Sequence, residues 1–321
     1  MSFRFNDPIK KISISGAAQG TSYHITYYAT DSLVSKKSID SILNKIDSSV
    51  SLYKDYSLIN HFNSSSKGIT IDDHFHKIIV RSLQIFRETG GLFDITVQPL
   101  VQAWGFGSVP ASSEPNDSTI RSLLKCVGSS QLSLRGNFLS KKKKCIRIDL
   151  NGIAQGYSVD VLSEFINSTG TNNYIVELGG EIIVKGRRQP ENSGMKIGVE
   201  SPGSGDPEMP MLQKILSIDS GAVTTSGSYR KFHESKGRKI THLIDPRTGQ
   251  SIQNELISAT VYARDAITAD GFDNALMVMG LKKALAFVEK KPDIAAYFIY
   301  RDPSGKIKDT ASKKFYRLIS K

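Results

Sequence analysis

With 321 residues, 39% of them hydrophobic, the chain can bury one large core or two moderate ones, and no stretch approaches the roughly 18 to 20 apolar residues of a membrane-spanning helix. Lys and Arg outnumber Asp and Glu by 42 to 31, a net charge of +11, but the excess is diffuse and lacks the interleaved aromatics or recognition helix of a nucleic-acid binder. Two cysteines, Cys126 and Cys145, are too few for a disulfide scaffold or a thiolate metal site and read as core or surface thiols.

Period-two alternation of Ile12 and Ile14, then of Tyr23, Ile25 and Tyr27, with GAAQG between, predicts two strands or one long bulged strand. Ile39, Ile42, Leu43, Ile46 and Val50 fall on one helical face, and Phe75, Ile78, Ile79, Leu83 and Phe86 on another that stops at Gly90. His74 and His76, beside Asp72 and Asp73, read as a solvated turn before that second helix. The basic run Lys141 to Lys144 lies between two strand-like segments, QLSLRG and CIRIDL, and is expected at a solvated hairpin tip. A helix carrying Val161, Leu162, Phe165 and Ile166 follows, closed by Gly170. Strand candidates then come in succession: YIVEL, EIIVKG, KIGVE, ILSID, ITHLI, ISATVYA and, near the end, IAAYFIY. This order predicts an α+β fold with largely antiparallel sheets and packed helices rather than a doubly wound α/β fold. Residues 190–210 and 108–118, rich in Pro, Gly and Ser, are the expected boundaries or mobile loops.

Chemistry concentrates in a few glycine-punctuated segments. Asp270, Asp273 and Asn274 open a helix-like run, ADGFDNALMVMG, and share one face at the end where helix amides are unpaired. Two crowded carboxylates there suit a hard cation such as Mg²⁺, and an acid-capped core helix is the competing reading. In TGGLFDITVQPLVQAWGFG, Asp94 sits inside an apolar run and must be paired, hydrogen bonded or facing a ligand. RIDLNGIAQGY runs into a glycine turn that can offer backbone groups to a phosphate or metal, or serve as a tight connection. VELGGEIIVKG reads as a bulged hairpin. In AVTTSGSYRKF, hydroxyls such as those of Thr225 and Ser226 can donate to phosphate or ribose, and in THLIDPRTG a turn follows His242, an acid/base candidate.

Taken in order, QGTSYHI, SLYKDYSLINHFN, GLFDITVQPLVQAWGFG, IDLNGIAQGYSVD, VELGGEI, TTSGSY, THLIDPRTG and ADGFDNALMVMG resemble the FAD:protein FMN transferases, the ApbE family. The resemblance implies a single T-fold-like domain over residues 1–321, with two lobes flanking the ligand site as the other division. It implies Mg²⁺-dependent cleavage of FAD, transfer of FMN to a Ser or Thr hydroxyl of a target flavoprotein, and release of AMP. Asp270, Asp273, the Asn274 position and the Gly152 carbonyl match the metal segment. Gln19, Tyr53, Leu92, Phe93, Asp94, Asp149, Gln155 and Leu243 match FAD-contacting positions, and His242 is expected to deprotonate the acceptor or shape the metal–phosphate site. Asn274 departs from the usual Thr, Gln19 from Met, and Gln155 from Lys or Glu. An FAD-binding protein and an FAD pyrophosphatase are the alternatives on the same scaffold. The resemblance implies an exported, often lipid-anchored bacterial enzyme acting on a flavoprotein subunit of a membrane redox complex. A periplasmic or inner-membrane-associated form, mature or trimmed, is therefore expected, with peripheral membrane contact; a cytoplasmic chain is the alternative, because MSFRFNDPIKK lacks the apolar core of an export signal.

Overall fold

The computed structural model describes residues 8–107, 114–202, 212–229, 231–235 and 238–320. Its first half runs β1 (Lys10–Ala18), β2 (Thr21–Ala29), α1 (Lys36–Val50), α2 (Leu58–Ser64), β3 (Gly68–Thr70), α3 (Asp73–Glu88), α4 (Gln98–Ala103), α5 (Asp117–Leu124), β4 (Leu132–Arg135) and β5 (Phe138–Lys141). The second half runs α6 (Ala154–Ser168), β6 (Tyr174–Leu178), β7 (Glu181–Lys185), β8 (Met195–Glu200), β9 (Leu212–Ile218), β10 (Ser220–Gly227), β11 (Phe232–Ser235) and β12 (Arg238–Thr241). It closes with β13 (Leu256–Ala263), α7 (Ala266–Met279), α8 (Leu281–Glu289), β14 (Ala295–Arg301) and β15 (Ile307–Ala311).

Eight strands form one antiparallel sheet in the order β1-β2-β6-β7-β10-β13-β14-β15. Successive side chains of a strand point to opposite faces, and here both faces are covered. Tyr23, Ile25 and Tyr27 of β2 meet Ile39 and Leu43 of α1 and Val159, Leu162 and Ile166 of α6. Tyr28 points the other way and, with Val184, Val223 and Tyr297, packs on Met195, Ile197 and Leu216 of the β8–β9 hairpin. The largest cluster joins Val261 and Phe298 of the sheet to Phe272 and Leu276 of α7 and to Phe75 and Ile79 of α3. Among the described residues no helix is long and apolar enough to cross a membrane.

The expected mixture of helices and antiparallel strands is found, and local signals explain much of it. Ser35 caps α1 and Asp72 caps α3, each accepting an amide of the first turn. The N-terminal alternation resolves into two strands joined by the two-residue turn Gln19–Gly20, whose φ values of 51° and 74° suit a tight hairpin. The β6–β7 hairpin pairs in regular register, without the expected bulge.

Four expectations need correction. His74 and His76 lie within α3 rather than in a turn before it, because Asp72 caps the helix ahead of them, and His74 Nδ1 meets the Tyr157 hydroxyl at 2.9 Å. Cys126 and Cys145 are disulfide-bonded, because the β4–β5 hairpin folds the chain back and brings their Cα atoms to 5.5 Å. CIRIDL is not part of a sheet: the strand pairing with LSLR is FLSK, so the hairpin tip falls at Gly136–Asn137, and Lys141 at the end of β5 is buried. The 190–210 stretch is no boundary where it is described, since it contributes β8; residues 203–211, like 108–113 of the other stretch, lie outside the described residues.

The disulfide closes a 19-residue separation. Reduction with dithiothreitol should lower the unfolding free energy by roughly 3 kcal/mol, chiefly by freeing the unfolded chain. Urea unfolding with and without reductant checks this, and coincident curves would contradict it.

Candidate active site

Helix α7 starts earlier than its sequence suggests, and this changes what its acids do. Asp265 caps it by accepting from the Thr268 amide, while Asp160 of α6 takes the amides of Ala266 and Ile267. Asp270 and Asp273 therefore stand in the helix interior, not at its unpaired amide end. Instead, Asp270 serves the neighbouring helix: its Oδ2 accepts from the Gly156 amide, in the first turn of α6, at 2.9 Å. That turn has amides to spare and a positive dipole end, so a carboxylate there is favourable. Only glycine permits the approach, because a Cβ at position 156 would lie 2.4 Å from the Ala266 carbonyl oxygen and 2.8 Å from Asp270 Cβ.

Strand β10 approaches from the other side. Thr224 donates to Asp273 Oδ2 at 2.7 Å, and Ser226 donates to Asn274 Oδ1 at 3.2 Å. Asn274 Nδ2 donates to Asp273 Oδ1 at 2.9 Å, to the Asp270 carbonyl at 3.0 Å and to the Gly152 carbonyl at 3.3 Å. Segments 114 and 122 residues apart in sequence thus meet directly.

Gly152, Ser226, Asp270, Asp273 and Asn274 border a cavity of about 290 Å³. Of the residues singled out from the sequence, Tyr53, Leu92, Phe93, Asp94, Asp149, Gly152, Gln155, Thr225, Ser226, His242, Leu243, Asp270, Asp273 and Asn274 all line it. Gln19 is not among the lining residues; from the β1–β2 turn it donates to Ser158 Oγ of α6 at 2.8 Å. Asp94 lines the cavity but is committed elsewhere, accepting from the Thr96 amide and hydroxyl and from the Ser129 amide and hydroxyl. Thr225 shares its hydroxyl with Thr260 of the neighbouring strand. His242 and Leu243 follow β12, and the DPRTG turn is fixed by Arg247 pairing with Asp245 and by the Gly249 amide donating to the Asp245 carbonyl. Trp104 Nε1 donates to the Gly249 carbonyl at 2.8 Å, tying the Asp94 segment to that turn.

Sequence reasoning passed over Glu181, Lys231, Phe106 and Thr224. The first three line the cavity. Phe106 packs against His242 with ring centroids 6.2 Å apart. Thr224 was findable: on a strand, residues two apart share a face, so the hydroxyls aimed at α7 are 224 and 226, with 225 on the opposite side.

The electrostatics are those of a buried acidic site. Asp270 and Asp273 are 3% and 1% exposed. Burial pushes the Asp270 carboxyl up to about 7. Asp273 is also held well above the ordinary carboxylate range, by burial and then by the charges of Asp270 and Glu181. Burial raises Asp149 as well, partly offset by the Asn151 amide and by Lys231. His242 is pushed down, chiefly by burial, so its ring is neutral at pH 7.

Among the described residues no three His, Cys, Asp or Glu side chains form a metal centre. A cation at the acidic pair would draw on neutral oxygens too, and these are present in the Gly152 carbonyl and the Thr224 hydroxyl. The donor set fits a hard cation: two like charges crowded in a dry site are relieved by a divalent ion and oxygen ligands. Asn274 fits less directly, because it turns its nitrogen, not its oxygen, to the carboxylates.

The sequence profile of the ApbE family matches residues 19–298. The FAD:protein FMN transferase of Vibrio cholerae is 32% identical over 321 residues, covering 98% of this chain and 94% of the relative. That of Haemophilus influenzae is 32% identical over 316 residues, covering 94% and 90%. Among solved structures, the apo flavinyl transferase ApbE of Pseudomonas stutzeri superposes with a TM-score of 0.87 at 32% identity, covering 97% of each chain. The flavin transferase ApbE of V. cholerae gives 0.85 at 31% identity, covering 97% of this chain and all 100% of that one. Fold and relatives together define an enzyme of the transferase class. The chain belongs to the ApbE family.

Gly156→Ala should cost about 1–3 kcal/mol by forcing α6 away from α7. Urea unfolding measures the loss, and wild-type stability would contradict the close packing described.

Proposed function

We propose that the chain transfers FMN from FAD to a Ser or Thr hydroxyl of an acceptor flavoprotein, with Mg²⁺, releasing AMP. The observation that carries this reading is the convergence of Asp270, Asp273 and the Gly152 carbonyl in one cavity with His242. The names of the relatives support the donor and the transferred group. Mg²⁺ held by Asp270, Asp273, the Gly152 carbonyl and Asn274 Oδ1, after its amide turns over, would neutralise charge on the diphosphate.

The protein's own groups do the rest. His242 Nδ1 lies 3.1 Å from the Lys231 carbonyl, which can only accept, so Nδ1 carries the ring proton and Nε2 keeps a lone pair. A neutral imidazole is the form that can take the proton of the acceptor hydroxyl. The freed oxygen bonds to the phosphorus of the FMN half, and the bridging P–O bond breaks with its electron pair leaving on AMP. Tyr53, exposed at the rim, and Phe93, buried, offer ring faces for flat groups of the dinucleotide. Gln155 presents a neutral amide to the cavity, so phosphate contact there is by uncharged hydrogen bonds.

The same proposal places the enzyme in the periplasm or at the inner membrane, acting on a subunit of a membrane redox complex. The Cys126–Cys145 disulfide supports an oxidising compartment, and the +11 charge suits an anionic membrane surface.

Two outcomes test the mechanism. His242→Ala should lower FMN transfer by roughly 100-fold or more while leaving FAD affinity unchanged. Flavin fluorescence on the acceptor in a gel reads the first and FAD fluorescence titration the second; wild-type transfer would remove His242 from the reaction. AMP formed without a labelled acceptor would instead mark a pyrophosphatase.

The acidic pair also sets a pH dependence. An acid whose folded pKa is raised binds its proton more tightly in the folded state, so its stabilising contribution is full at low pH. That contribution is lost as pH rises from the ordinary carboxylate range near 4 through about 7. A divalent ion displaces those protons and should stabilise more as they leave. The Mg²⁺-induced rise in Tm should be larger at about pH 8 than at about pH 5 and should vanish in Asp270→Asn. An equal rise at both pH values would contradict it.

A further inference from the structure

Gly152 and Asp149 line the cavity on a segment that, among the described residues, pairs with no strand. In residues 146–150, Ile146, Ile148 and Leu150 are buried and Arg147 exposed, the alternation of a strand, yet among the described residues they join no sheet. A buried backbone needs hydrogen-bond partners, and here side chains supply several of them. Asn63 does the work of a neighbouring strand: its Oδ1 accepts from the Ile148 amide at 2.8 Å and its Nδ2 donates to the Ile148 carbonyl at 3.0 Å. The Asp149 amide donates to the Ile95 carbonyl at 2.7 Å, and Asp149 Oδ1 accepts from the Asn151 amide at 2.8 Å, shaping the turn to Gly152.

Lys141 supports this arrangement from beneath. It is 7% exposed, and its ammonium donates to the carbonyls of Ile146 at 2.8 Å, Phe62 at 3.0 Å and Asn63 at 3.3 Å. Three donors meet three acceptors, so the group is fully used. No carboxylate is among these partners. The charge is tolerated because the Phe62 and Asn63 carbonyls lie at the negative C-terminal end of α2 and the ammonium sits 4.8 Å from the centre of the Phe62 ring. Burial and the nearby Arg147 lower its pKa to about 8, as expected for a cation held by neutral groups. Lys141 thus binds the main chain of Asn63 to Ile146, and the side chain of Asn63 binds Ile148.

We infer that Lys141 and Asn63 are positioning residues that hold the segment from Ile146 to Gly152 against the acidic pair of α7. Neither lines the cavity. The inference rests on the metal-binding reading proposed above, since its consequence is a correctly placed carbonyl ligand.

Mn²⁺ titration of the full chain, with free Mn²⁺ read by electron paramagnetic resonance, tests it without requiring catalysis. Lys141→Met removes the three donors, and Asn63→Asp keeps the acceptor for the Ile148 amide but faces its carbonyl with a second oxygen. Ile197→Ala, in the cluster on the opposite face of the sheet, controls for general destabilisation. Both site variants should weaken Mn²⁺ binding by roughly 10-fold or more, as loss of outer supports of a metal site does, with the control unchanged. Wild-type affinity in folded Lys141→Met and Asn63→Asp, or an equal loss in Ile197→Ala, overturns the inference. Should Lys141→Met not fold, Asn63→Asp decides alone. Failure of the wild-type chain to bind Mn²⁺ overturns the metal reading itself and the positioning role with it.

Discussion

Two carboxylates buried one helical turn apart on α7 set the terms for everything packed around them. Each needs donors, because an isolated buried charge is far costlier than a solvated one. The Gly156 amide serves Asp270, while the Thr224 hydroxyl and the Asn274 amide serve Asp273. These three come from α6, β10 and α7, so satisfying the pair fixes how the two helices and the sheet meet. Neutral donors do not offset the burial that holds both carboxyls above the usual carboxylate range, to which the charges of Asp270 and Glu181 add at Asp273. The packed pair fits the cation proposed above, and that is the link from fold energetics to the proposed chemistry.

The remaining cavity wall is delivered by turns rather than by helices. Asp94 spends its oxygens on Thr96 and Ser129, which pins the segment presenting Leu92 and Phe93. Trp104 then carries that segment to the DPRTG turn, whose preceding residues are His242 and Leu243. A basic chain in bulk therefore encloses an acidic floor, and an anionic dinucleotide would enter such a floor only together with a cation. The neutral state of His242 follows from the same burial: the dry environment that raises the acids lowers the imidazole.

Much of this is legible in the amino-acid sequence. Periodicity locates α1, α3 and the strands β6, β7, β8, β9, β13 and β14 because those elements bury one regular face or alternate between two, whereas β10, whose AVTTSG reads as a run of hydroxyls, β11 and β15 are not located by it. The motif residues gathered in one cavity, Gln19 excepted, because glycine turns and hydroxyl runs carry their function in local chemistry. Three features were not legible, each for a physical reason. The start of α7 was missed because its amides are capped partly by Asp160, more than a hundred residues away. Lys141 read as solvated because a basic run gives no hint that its first member turns inward to carbonyls. The cysteines read as thiols because a lone pair of them declares no partner until the β4–β5 hairpin brings them together.

The most direct test of the central claim is anomalous diffraction from crystals grown with FAD and Mn²⁺. The account predicts a manganese peak ligated by Asp270, Asp273 and the Gly152 carbonyl, with diphosphate oxygens of the dinucleotide completing its shell. A flavin bound elsewhere, or a peak away from the acidic pair of α7, would contradict it.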